Sequence, residues 1–108
     1  MNNKTVLAKA VLKAAEQLGL EQAQLERVLN FHHTAIMELD PASEPGKQAL
    51  LLIRVFQSLY TLTGGDIDQI RHFMNGPNRM TGGIPMHQIQ SKLGLIEVLN
   101  CVQSLGSK

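Results

Sequence analysis

One segment, residues 47–62, constrains the fold of this 108-residue chain more than any other. Its apolar residues fall on almost every side of a helix rather than on one stripe. They are Leu50, Leu51, Leu52, Ile53, Val55, Phe56, Leu59, Tyr60 and Leu62. A helix that is apolar nearly all round is stable in water only when other elements cover most of its sides. We therefore expect a central helix with the rest of the chain packed around it.

Three shorter helices are predicted before this segment, because apolar residues recur there at spacings of three and four. The first ends near Gly19, the second covers residues 21–29, and the third covers residues 31–39. Asn30 is a suitable left-handed residue between the second and the third. Residues 40–46, which contain two prolines, indicate a linker that leads into the central helix.

Three further helices are predicted after the central one. Asp66 is a good N-cap for the first of them, and Pro85 suits the first turn of a short second one. We expect Gly94 to break or bend the chain before a last helix. No segment alternates between apolar and polar residues with a period of two, so the sequence predicts an all-α fold.

The distribution of charge limits the kinds of partner. The formal net charge is +1, which gives no general attraction to nucleic acid. Residues 1–45 carry four basic and six acidic side chains, whereas residues 46–108 carry six basic and three acidic ones. The N-terminal half, which contains a segment with the spacing of a DNA-binding helix-turn-helix, is thus the acidic half.

Cysteine content and hydropathy indicate a cytoplasmic protein. Cys101 is the only cysteine, so no disulfide forms within the chain, which fits a reducing compartment. The N-terminus lacks the apolar core of a signal peptide, and no apolar run approaches the length of a membrane span. We expect no association with a membrane.

The stretch of residues 75–85 interrupts the helical pattern with three glycines and two prolines. Glycines such as Gly76 permit a positive φ, and proline fixes φ and removes a donor. We therefore expect a shaped loop between two helices, and such loops on rigid scaffolds often carry function. Met80 and Met86 flank the glycine pair, and methionine suits adaptable binding surfaces, so we expect both on such a surface.

Residues 20–39 have the spacing of a helix-turn-helix. A DNA-reading surface built on it would use Gln22 in the first helix and, from the second, His32, His33, Thr34 and Met37. The second helix contains no Lys or Arg and carries Glu38, although DNA affinity comes largely from cationic side chains on phosphates. Two interpretations stay open: a DNA reader, and a helix-turn-helix shape kept for packing or dimerisation.

Each candidate for catalysis or metal binding has a structural explanation. His32 and His33 point about 100° apart on a helix, so they do not share one metal ion easily. Asp66 and Asp68 suit helix capping as well as acid–base chemistry, and Cys101 lies in an apolar stripe as a small core residue. No catalytic triad order, phosphate loop or dinucleotide fingerprint is present. We expect a protein that is not an enzyme and has no metal and no cofactor.

The second half of the chain carries an ordered series of short motifs. They are residues 50–59, Gly64-Gly65-Asp66, residues 71–75, Pro77-Asn78-Arg79, Gly82-Gly83-Ile84-Pro85, Ile89-Gln90 and residues 94–99. In this order they resemble the toxin-binding domain of the Xre/MbcA/ParS-type antitoxins, and the resemblance covers residues 50–105. The first half looks like the Xre helix-turn-helix that precedes this domain in the family. The resemblance thus predicts an Xre-like region at residues 1–45 and a toxin-binding domain at residues 46–108.

The resemblance implies an antitoxin of a type II toxin–antitoxin system. Its partner would be a RES-domain toxin, which consumes NAD, and the antitoxin would obstruct the substrate pocket of that toxin. Such antitoxins usually also act as homodimers that repress their own operon. The residues expected at the toxin-binding surface are Asn78, Arg79, Gly82, Gly83 and Pro85. A DNA-binding repressor and a helical interaction module without a toxin remain as alternatives.

Overall fold

The computed structural model describes residues 3–30 and 39–106, and most of these residues are helical. The helices are α1 (Asn3–Leu18), α2 (Gln22–Leu29), α3 (Glu44–Thr63), α4 (Ile67–Asn75), α5 (Pro85–Gln88) and α6 (Lys92–Gly106). The described ranges contain no β-strand, and the all-α prediction is confirmed. The predicted helix over residues 31–39 lies outside the described residues, apart from Leu39, which is buried.

Helix α3 is the centre of the molecule. It packs against α1, α2, α4 and α6. Leu52, Val55 and Leu59 are buried along its length, whereas Leu50 and Leu62 are exposed. The central position predicted from its apolar residues is confirmed, although part of its apolar surface stays in contact with water.

One cluster of buried side chains contains residues from all six described helices. Its members are Leu7, Val11, Ala15, Leu18, Leu25, Val28, Leu29, Leu39, Ala49, Leu52, Val55, Leu59, Ile70, Met74, Met86, Ile89, Leu95, Val98, Leu99 and Val102. Both predicted regions, residues 1–45 and residues 46–108, contribute to this cluster. The boundary between them falls within the first turn of α3, so the two regions share one core.

Helix α3 begins earlier than the sequence predicted. Ser43 is its N-cap, and the Ser43 hydroxyl oxygen accepts a hydrogen bond of 3.1 Å from the N–H of Gly46. Pro45 lies in the first turn, where a missing N–H leaves no hydrogen bond unmade. The predicted linker over residues 40–46 is therefore too long, because its second proline starts the helix instead of preceding it.

Helix α6 begins with the same arrangement of serine and glycine. The N–H of Gly94 donates a 3.1 Å hydrogen bond to the hydroxyl oxygen of Ser91. A Cβ on Gly94 would overlap the carbonyl oxygen of Gln88 at the end of α5. The turn between α5 and α6 lies at residues 89–91, so the prediction that Gly94 breaks or bends the chain before the last helix is wrong. Gly94 lies inside the first turn of α6, where its missing side chain lets the preceding turn close against it.

The ends of α2 and α4 are determined by local hydrogen bonding. The Asp66 carboxylate accepts a 3.2 Å hydrogen bond from the N–H of Gln69, which confirms Asp66 as the N-cap of α4. Glu21 and Gln24 form a reciprocal capping box at the start of α2. Asn30 ends α2 in the left-handed conformation, with φ 53° and ψ 49°, as predicted.

Arg71 on α4 connects this helix to the end of α1. Its guanidinium donates to the carbonyl oxygens of Glu16 at 2.8 Å and Gln17 at 3.3 Å, in the last turn of α1, where carbonyl oxygens lack partners inside the helix. The Glu16 carbonyl also accepts a 3.1 Å hydrogen bond from the N–H of Gly19. We expect Arg71→Ala to lower the free energy of unfolding by about 1 kcal/mol, because two carbonyls lose a charged donor at an exposed site. Urea denaturation measures this effect. Arg54→Ala is the matched control, because Arg54 is exposed on α3, and equal losses in both variants would contradict a role for the connection.

Candidate functional site

The loop between α4 and α5, residues 76–84, is closed into a turn by backbone hydrogen bonds. Asn78 and Gly83 form an isolated antiparallel bridge, in which the Asn78 N–H donates to the Gly83 carbonyl at 2.8 Å. The N–H groups of Gly82 and Gly83 donate to the Asn78 carbonyl at 3.0 and 3.2 Å. Gly82 has a positive φ of 81°, whereas Gly76, which has the same freedom, is extended with a φ of −107°.

The side chain of Asn78 organises the interior of this turn. Its Oδ1 accepts hydrogen bonds from the N–H of Met80 at 2.8 Å and from the N–H of Thr81 at 3.2 Å. An asparagine side chain that bonds the backbone two residues further on mimics a backbone turn. The predicted site residue Asn78 therefore shapes the loop from within.

Thr81 and Gln88 fasten the loop to α5, and sequence reasoning missed both. Thr81 is buried, and its hydroxyl lies 3.2 Å from the carbonyl oxygen of Gly83. The Gln88 side-chain amide donates a hydrogen bond to the carbonyl oxygen of Thr81. No periodicity relates these two residues, because they lie seven positions apart across an irregular turn.

The tip of the loop, defined as Arg79 with Met80, lies on the surface. Met80 is 62% exposed, and Arg79 is exposed without a hydrogen-bond or ion-pair partner in the described ranges. Among the predicted site residues, Arg79 is thus the one that offers a charged side chain to a partner. Gly82 is exposed but carries no side chain, and Pro85 is buried in the first turn of α5.

Met86 does not lie on a binding surface, and that prediction is wrong. Only 2% of it is exposed, and it belongs to the core together with Ile89 on the same side of the chain. The two residues are three positions apart, which is the spacing of one helix face. Of the two methionines that flank the glycine pair, Met80 alone is accessible.

A groove of about 690 Å³ adjoins the loop and α4. It is lined by Thr63, Asp68, Gln69, His72, Phe73, Gly76, Pro77 and Asn78. Phe73 is half-buried and packs against the hydrophobic core, so it supplies a fixed aromatic surface to the groove. Because residues 76–78 belong to the loop and line the groove, the two features form one continuous face.

Gln90, from the Ile89-Gln90 motif, holds the end of α5 in place. Its amide donates to the carbonyl oxygen of Met86 at 2.9 Å, and its side-chain oxygen accepts a 2.6 Å hydrogen bond from the Arg27 Nε of α2. The motif residue thus links the C-terminal helices to the N-terminal ones. These two hydrogen bonds hold the end of α5, which follows the loop, against α2.

The predicted DNA-reading residues are not brought together in the described part of the chain. Gln22 is exposed as the first residue of α2. The other four, His32, His33, Thr34 and Met37, lie outside the described residues. The predicted DNA-reading surface therefore rests on the sequence pattern alone.

The side chains considered as catalytic candidates have structural roles in the described part of the chain. Asp66 caps α4, and Asp68 follows in the first turn, where a carboxylate is favoured by the helix dipole. Burial raises the pKa of the Cys101 thiol above its ordinary value, which reduces the fraction of reactive thiolate at neutral pH. Residues 3–30 and 39–106 contain no group of three or more His, Cys, Asp or Glu side chains placed to hold a metal ion.

No family model matches the chain, and no curated protein sequence matches it. Among the described helices, none is both long enough and apolar enough to cross a membrane.

Proposed function

We propose that this chain is the antitoxin of a type II toxin–antitoxin system and neutralises a RES-type, NAD-consuming toxin by direct binding. The observation that carries the proposal is the loop of residues 76–84, which is hydrogen-bonded into one shape and exposes Arg79 and Met80. The sequence resemblance of residues 50–105 supplies the identity of the partner.

Neutralisation by binding requires a preformed surface rather than catalytic groups. The loop and its adjoining groove provide such a surface, because Asn78 and Thr81 satisfy the polar groups of the turn internally. A surface that is already ordered loses little conformational entropy on association. The antitoxin would hold this face against the toxin and obstruct its substrate pocket.

Repression of its own operon by a homodimer is a second part of the proposal, and a cytoplasmic location follows from it. The helix-turn-helix spacing of residues 20–39 supports DNA contact, and Gln22 at the exposed start of α2 would take part. The scarcity of cationic side chains in this region makes toxin binding the primary function.

Co-expression with a RES-domain toxin from a reading frame next to the gene tests the proposal. We expect the toxin alone to deplete NAD and arrest growth, and the full-length antitoxin to restore both and to co-purify with the toxin. The proposal would be wrong if growth arrest persisted with soluble antitoxin present and the two proteins did not co-purify. The absence of a toxin reading frame beside the gene would favour a helical interaction module.

A further inference from the structure

The tip of the loop is turned away from the body of the protein by its own hydrogen bonds. The N–H groups of Met80 and Thr81 point inward to the Asn78 Oδ1, at 2.8 and 3.2 Å. The Thr81 side chain is buried beneath them, with 7% exposed. The side chains of Arg79 and Met80 are left on the outside, where Met80 is 62% exposed.

The tip is also held in position relative to α5. The Gln88 side-chain amide donates to the Thr81 carbonyl oxygen, and a Cβ on Gly83 would lie 3.3 Å from the Gln88 side chain. This close approach leaves the Gln88 side chain packed against the turn. The tip is therefore an exposed element on a fixed base, which is the geometry that favours insertion into a partner.

We infer that the tip, Arg79 with Met80, is the principal contact of this antitoxin and fits an apolar pocket of the toxin that is edged by an Asp or Glu carboxylate. The inference rests on the proposed function for the identity of the partner. It adds a distinct role for each residue: Arg79 and Met80 contact the partner, and Asn78, Thr81 and Gln88 position these two side chains.

The chemistry of the two side chains specifies the partner surface. Arg79 has no ion-pair partner in the described part of the chain, and a guanidinium pairs best with a carboxylate through two parallel hydrogen bonds. Met80 is unbranched and polarizable, so it adapts to an apolar pocket of irregular shape. Together they match a pocket with an apolar floor and an acidic edge.

A nucleic-acid backbone fits this tip less well. Residues 75–91 contain one Arg and no Lys, whereas phosphate binding depends on several cations acting together. Met80 beside the single Arg offers nothing to a phosphate. A protein surface is therefore the partner that the tip favours.

Affinity measurements between the toxin and full-length variants test the inference. Arg79→Glu is expected to weaken binding roughly 100-fold, and Arg79→Lys about 10-fold, because lysine keeps the charge and loses the paired geometry. Met80→Ser is expected to weaken binding about 10-fold. Raising the salt concentration should slow association of the wild type more than that of Arg79→Ala.

Two matched controls lie away from the loop. Arg54→Glu reverses the charge of an exposed arginine on α3, and Leu93→Ser removes an apolar side chain that is 68% exposed on α6. Both should change the affinity by less than about twofold. Circular dichroism and thermal midpoints should be unchanged in all these surface variants.

The outcomes separate the inference from the proposed function. Toxin binding that is equal in wild type, Arg79→Glu and Met80→Ser would overturn the inference and leave the antitoxin function intact. A loss in Arg54→Glu instead would overturn it in favour of the face between α3 and α6. If Arg79→Glu lost binding to operator DNA while its toxin affinity stayed unchanged, the tip would be assigned to nucleic acid. Absence of any wild-type complex with the toxin would overturn both.

Discussion

Replacement of Gly94 by alanine is expected to lower the free energy of unfolding by about 2–3 kcal/mol. In an ordinary helix the same change raises stability by roughly 1 kcal/mol, because alanine is the better helix former. At Gly94 the new Cβ would overlap the carbonyl oxygen of Gln88 and lie 2.9 Å from the Ser91 hydroxyl oxygen. The backbone between α5 and α6 would have to move, and equilibrium urea denaturation measures the result.

Two control variants show whether a loss of stability in Gly94→Ala comes from close packing rather than from ordinary helix propensity. Asn100→Ala changes an exposed residue of the same helix and should raise stability by up to about 0.5 kcal/mol. Gly46→Ala introduces the same overlap at the start of α3, with the carbonyl oxygen of Asp40, and should lower stability by a similar amount. A Gly94→Ala protein as stable as the wild type would contradict the close packing of the turn before α6.

The comparison of the two glycine variants also concerns function. Gln88, whose carbonyl lies beside Gly94, is the residue whose side chain holds Thr81. Displacement of Gln88 by Gly94→Ala should therefore also weaken binding to the proposed toxin partner, by more than the loss of stability explains. Gly46→Ala disturbs Asp40, which makes no hydrogen bond to the loop, and should leave the affinity of the folded protein unchanged.

The fold was predictable where one local pattern decides the outcome. The apolar residues of 47–62 required a buried central helix, and α3 is that helix. Asp66 and Asn30 have side chains suited to one terminal conformation each, and both adopt it. Prediction failed at Pro45, because a proline is compatible both with a linker and with the first turn of a helix.

Glycine was the main source of error. Gly94 was expected to break or bend the chain before the last helix, but the packing of Gln88 against it explains its presence. The three loop glycines each permit a positive φ, and of these only Gly82 adopts one. A single sequence shows that a residue lacks a side chain; it does not show whether conformation or close packing requires this.

The candidate site was predicted as a segment but not in its internal organisation. The glycines and prolines of residues 75–85 marked a shaped loop, and the structure contains one. Met86 was misassigned because its proximity to the glycine pair was given more weight than its helical spacing from Ile89. The hydrogen bond between Gln88 and Thr81 depends on the three-dimensional path of the turn, which no periodic pattern encodes.

Replacement of Asn78 by alanine is expected to weaken binding to the proposed toxin partner by roughly 10- to 100-fold. The variant loses the oxygen that accepts hydrogen bonds from Met80 and Thr81, so their N–H groups need water or another partner. The tip would then sample several conformations and would have to become ordered on binding, at a cost of about 1–2 kcal/mol per residue. Calorimetric titration with the toxin should show a less favourable entropy of binding.

The aspartate variant at the same position distinguishes a shaping residue from a contact residue. Asn78→Asp keeps an oxygen acceptor for both N–H groups but removes the side-chain NH₂ donor. If Asn78 acts by shaping the turn, Asn78→Asp should bind the toxin within a few-fold of the wild type, and Asn78→Ala should not. Equal losses in both variants, with thermal stability preserved in the aspartate protein, would mean that the amide donor itself contacts the toxin. In that case the contact surface would extend from Arg79 and Met80 to the half-buried base of the turn.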